Sequence, residues 1–92
     1  MIKTNIDPKF IKYVLVMKYY GYHSCNYEFI SQLAHEFAGK KEAIGYSTLE
    51  HAIHFDSEEE AAKVLATQPE WVQKDHEIRP FTKIGTYCAV GI

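Results

Sequence analysis

The sequence lacks most of the features that would set it apart from ordinary globular proteins. Its two cysteines, Cys25 and Cys88, are too few for the disulfide framework of a small secreted domain. The longest apolar run, residues 13–17, falls far short of a membrane span. Met1-Ile2-Lys3-Thr4-Asn5 has no apolar core of the kind an export signal needs. Together these absences predict a cytoplasmic protein with no membrane partner and with both thiols reduced and buried. Three prolines and five glycines leave no linker or low-complexity tract, and no internal repeat is visible. Charge of one sign is also missing, since the net charge is only −2. A chain that lives on phosphate contacts shows a stronger basic excess, and a nucleic-acid mimic a far stronger acidic one.

The charge that is present is unevenly spread. Residues 1–41 hold six lysines against Asp7, Glu28 and Glu36, a balance of +3. Residues 42–76 hold eight acids against Lys63 and Lys74, a balance of −6. Ninety-two residues suffice for one domain, with residues 1–8 as an N-terminal arm ended by Asp7-Pro8. Hydrophobic residues make up 47% and aromatics 14%, and large rings supply the apolar area a small domain needs.

Residues 10–18 are β-branched, aromatic and nearly continuous in their apolarity, which predicts a strand buried on both faces and central in a sheet. Gly21 marks a turn or bulge. Residues 27–38 place Ile30, Leu33, Ala34 and Phe37 on one helical face, with Asn26 as the N-cap and Gly39 beyond the end. Residues 42–46 form a short segment with strand character that Gly45 weakens. Ser47-Thr48-Leu49-Glu50 fits a capping box and opens a helical turn through His54. Ser57-Glu58-Glu59-Glu60 repeats that signature and opens a helix with Ala61, Val64 and Leu65 inward. Pro69 stops that helix or starts another turn, and Trp71 and Val72 are expected to anchor it. Residues 76–81 form a strand, at an edge or broken, because Pro80 cannot donate to a ladder. Residues 86–90 form the last strand. The predicted fold class is α+β, a small antiparallel or mixed sheet with two main helices on one face.

Three stretches carry a resemblance. They are Tyr13-Val14-Leu15-Val16-Met17-Lys18, then Ala52-Ile53-His54-Phe55-Asp56-Ser57-Glu58-Glu59-Glu60-Ala61, then His76-Glu77-Ile78. This pattern resembles small proteins of bacteriophages and prophages over less than half the chain. The helix at residues 26–39 and an extra C-terminal strand depart from it. The resemblance implies an accessory factor, acting in the host cytoplasm, that binds and inhibits a host or anti-phage defence protein. It transfers no functional residue.

No arrangement of catalytic groups stands out, so no enzyme activity and no cofactor is expected. His51 and His54, spaced i, i+3, with His23 and Cys25 elsewhere, could hold zinc, but they match no finger spacing. They read more simply as surface histidines. Tyr19-Tyr20-Gly21-Tyr22 is the most suggestive segment, because alternation along a strand cannot send all its rings into one core. Lys18, Tyr19, Tyr20, Tyr22 and His23 are therefore the expected contact residues for a protein partner. The alternative is stacking of the same tyrosines on single-stranded nucleic acid beside Lys18. Asp56, Glu58, Glu59 and Glu60 form a second-choice acidic surface, read more simply as a capped, solvated helix start. A homodimer through a free sheet edge remains open to this sequence.

Overall fold

The computed structural model describes residues 10–19, 23–33, 36–37, 40–41, 44–84 and 87–90. The N-terminal arm, Gly21 and Gly39 lie outside them. The continuous apolar run forms β1 (Ile11–Met17), and its neighbours in sequence face opposite ways. Leu15 joins one buried cluster with Tyr13 packed against it, while Val14 and Val16 belong to a second. Such a strand must lie inside the sheet, and it does.

The strand that follows overturns an expectation. Residues 27–38 do not make a helix; Phe29–Gln32 form β2 and Glu36–Phe37 form β3, which pairs with β4 (Lys40–Lys41). The helical spacing of Ile30 and Leu33 lost to a tertiary demand. Backbone groups on one edge of β1 need partners, and β2 supplies them at Val16↔Phe29. Phe29 and Ile30 are both buried, but in different clusters, a use of adjacent residues that a single helical face cannot provide. Asn26 does not cap a helix either, since its N–H donates to the His23 carbonyl in a turn, at 2.9 Å.

β5 (Gly45–Ser47) pairs with β2, with an irregularity between Ile30 and Gln32. That irregularity explains Gly45: a Cβ there would lie 2.9 Å from the Cβ of Gln32. A 3₁₀ turn at Leu49–His51 follows, with Thr48 rather than Ser47 at its N-cap position and no side-chain capping bond, so the expected capping box does not form. Then come α1 (Glu58–Ala66), α2 (Glu70–Asp75), β6 (His76–Ile84) and β7 (Tyr87–Val90). The antiparallel sheet runs β5-β2-β1-β6-β7. Ala61 of α1 and Val72 of α2 enter the same cluster as Leu15 and Ile30, so both helices cover one face. The 3₁₀ turn covers the other, where Leu49 and Ala52 pack with Val14, Val16, Phe29 and Phe81. This is a small α+β fold.

β6 is neither broken nor an edge. It pairs with β1 on one side and β7 on the other. Pro80 is tolerated for a local reason. Its partner Tyr13 exchanges both backbone hydrogen bonds with Phe55, at 2.9 and 2.8 Å, so the polar groups of Tyr13 point away from β6. Pro80 therefore belongs to a non-hydrogen-bonded pair, and the N–H it lacks would point away from β1. On the β1 side the proline therefore occupies a position where the ladder does not need its donor.

Candidate functional site

The end of β1 and the end of α2 meet because the β1–β6 ladder brings them together. Met17 pairs with His76, and one residue on, the Lys18 N–H donates to the Asp75 carbonyl at 3.0 Å. A pocket of about 300 Å³ opens at this junction, lined by Met17, Tyr19, Tyr46, Trp71, Asp75 and His76.

His76 organises it. Helix α2 ends at His76, whose backbone N–H donates to the Val72 carbonyl. The same carbonyl lies 2.8 Å from Nδ1 of the ring, so Nδ1 must carry a proton. In the neutral imidazole Nε2 is then an acceptor, and the Tyr46 hydroxyl donates to it at 2.6 Å. Burial at 2% exposure suits a ring whose two nitrogens are both engaged. The Tyr46 and His76 ring planes differ by only 14°, with centroids 5.6 Å apart. Trp71 meets His76 at 6.2 Å and 62°, so its ring stands as a steep wall to the other two.

The rim is exposed. Tyr19 is 85% and Trp71 53% accessible. Trp71 therefore does not anchor α2 as expected from its apolarity; Val72, fully buried, does that alone. The Asp75 carboxylate is exposed and makes no hydrogen bond or ion pair with any other described residue.

Among the sequence-derived contact residues, Tyr19 lines this pocket, and Lys18 is exposed beside it. Tyr20 and Tyr22 lie outside the described residues. His23 is exposed, with its Nδ1 accepting from the Cys25 N–H at 3.3 Å in a local turn. Cys25 is exposed rather than buried, because it sits in that turn and not on an inward-facing strand position. Two of the four acidic candidates, Asp56 and Glu60, are engaged locally. Ser57 accepts from the Glu60 N–H at 3.1 Å, Glu60 accepts from the Asp56 N–H at 3.4 Å, and Lys12 is ion-paired with Asp56. Glu58, Glu59 and Glu60 form the exposed first turn of α1.

The histidine pair is likewise occupied. His51 Nδ1 lies 3.1 Å from the Thr48 hydroxyl. His54 donates from Nε2 to the Leu49 carbonyl at 2.8 Å, and its ring sits 4.6 Å from that of Phe81. Among the described residues no three His, Cys, Asp or Glu side chains converge as a metal site would require. No helix among them is long and apolar enough to cross a membrane.

One further group stands out beside the site. Across from Met17, whose N–H donates to the Glu28 carbonyl at 3.2 Å, Glu28 is 2% exposed, and neither carboxylate oxygen has a hydrogen-bond partner. Burying a carboxylate without partners is costly, so Glu28 works against stability.

Sequence reasoning missed Trp71, Tyr46, Asp75 and His76 as a group. The one available signal was a single tryptophan beside a valine on a short helix, which cannot both face the core. The chain matches no protein-family model, no curated protein and no solved structure.

Proposed function

We propose that this chain is a protein-binding module that docks its partner on the aromatic pocket between the end of β1 and α2. The observation that carries the reading is the pair of exposed rings, Tyr19 and Trp71, flanking a pocket whose inner rings are locked by hydrogen bonds. Tryptophan and tyrosine are the residue types that dominate binding energy at protein interfaces, and a rigid floor limits the entropy lost on docking. Among the described lining residues Asp75 alone carries a fixed charge, which disfavours phosphate and so supports a protein partner over a nucleic acid.

The likeness to phage and prophage proteins supports one setting for such a module. It would be a phage-encoded accessory factor that inhibits a host or anti-phage defence protein by direct binding. The test is capture from bacterial lysate by the immobilised chain, alongside Trp71→Ala, Tyr19→Ala and Glu59→Gln variants. The expected result is one partner lost with either aromatic change and retained with Glu59→Gln. A partner held equally by all variants would sink the reading. Steeply salt-dependent binding of single-stranded DNA would replace it with the nucleic-acid alternative.

A further inference from the structure

We propose that the pocket is an aromatic cage for a cation, and that its occupant is the alkylated ammonium head of a lysine side chain on the protein partner. This rests on the docking reading above and names the group that docks.

Three aromatic side chains, Tyr19, Tyr46 and Trp71, line the same small space as Met17 and His76. The faces of such rings carry negative quadrupole charge and attract a cation held near them. Ring geometry selects the shape of that cation. Tyr46 and His76, joined edge to edge by the hydroxyl–Nε2 hydrogen bond and only 14° apart in plane, make one wall, while Trp71 is inclined at 62° to His76. Walls meeting at a steep angle enclose a rounded group, whereas a flat guanidinium is best stacked between parallel rings. Charge agrees with shape, since among the described lining residues the Asp75 carboxylate is the one fixed charge, and it has no partner among the described residues.

Hydrogen-bonding capacity separates an alkylated ammonium from a plain one. An unmodified lysine head has three donors and is strongly hydrated, so it needs several acceptors to leave water. Here both His76 nitrogens are engaged and Met17 offers only a thioether, which leaves Asp75 as the one charged acceptor among the described lining side chains, with the neutral Tyr19 hydroxyl beside it. A head whose donors are replaced by methyl groups makes no such demand. It gains from the ring faces and the methionine, while its charge is met by Asp75 at the rim.

Trp71 is the only tryptophan in the chain, so its fluorescence reports on this pocket alone. The experiment is a titration of the full chain, at constant ionic strength, with a trimethyllysine peptide and its uncharged tert-butyl isostere. Unmethylated lysine peptide and phosphatidylcholine vesicles form two further arms. Saturable quenching is expected with trimethyllysine, with the isostere weaker by about three-fold or more, as one cation–ring contact implies. Asp75→Asn and Tyr19→Leu, read by the same tryptophan, should each weaken binding by a similar factor. Equal binding of the isostere would overturn the proposal, as would tighter binding of unmethylated lysine. Preference for the vesicles would make the occupant a lipid headgroup and overturn it too. The two readings can fail separately. If Trp71→Ala abolishes partner capture but trimethyllysine peptide neither binds nor competes, only the cation assignment falls. If the peptide binds while capture ignores Trp71 and Tyr19, the docking reading falls and the cation site stands.

Discussion

The start of α1 and the end of α2 are both charged helix termini on the same face of one small sheet, yet they differ in what is left over. At the start of α1 the capping groups are engaged with one another, while Glu58 and Glu59 are exposed. Ser57 caps Glu60, Glu60 reaches back to Asp56, and Asp56 is paired with Lys12. At the end of α2 the inner groups are equally engaged, through Tyr46, His76 and the Val72 carbonyl. The outer ones are not, since the Trp71 and Tyr19 rings are exposed and the Asp75 carboxylate has no partner among the described residues. A sequence shows both as acids near helix ends. What differs between the two ends is the kind of group left over: two exposed carboxylates at α1, and two exposed rings beside a carboxylate at α2.

The difference can be tested by perturbing the two ends unequally. Leu15 lies under both helices, so Leu15→Ala should undermine the two regions together, lowering stability by about 2–5 kcal/mol in urea unfolding. Replacing His76 by leucine should strike the α2 end alone. The Tyr46 hydroxyl loses its acceptor, for about 1–3 kcal/mol in the same assay, and Trp71 emission should shift because its neighbour has changed. Glu28 should move the other way. Glu28→Met removes a buried carboxylate without partners and is expected to raise stability by about 1–2 kcal/mol. Ser57→Ala should cost about 1 kcal/mol through the lost cap while leaving partner capture unchanged. Trp71→Ala reverses that pattern: stability within about 0.5 kcal/mol of the parent, because the ring is largely exposed, with partner capture abolished. Equal effects of Ser57→Ala and Trp71→Ala on capture would erase the distinction between the two ends.

Much of the fold was legible where local signals and tertiary demands agree. The apolar run of β1, the Ser57 cap with Ala61 inward, and Pro69 at the start of α2 all follow from patterning and capping chemistry. Residues 27–38 were misread because helical spacing of Ile30 and Leu33 coexists with an alternation of Phe29 and Ile30 that only the edge of β1 could select. Pro80 was misread because its harmlessness depends on where the backbone of Tyr13 points, a property of Phe55 far along the chain. The site divides in the same way. Tyr19 was visible as a surplus ring beside Lys18, but its companions come from α2, β5 and β6. They reach Tyr19 only through strand register and helix packing.

The β1–β6 ladder pairs residue 11 with residue 82 and residue 17 with residue 76, closing a loop that contains nearly every other element. Long closures of this kind make folding slow, because chain entropy is lost before the contacts form. The pocket sits at the inner end of that ladder, where Lys18 meets Asp75. A fragment holding only β6 and β7 can make their hairpin, but it cannot assemble a surface whose two sides are separated by the whole loop. If the proposed docking holds, a ligand bound at this surface would bridge the two strands that close the loop and would stabilise the folded chain by mass action.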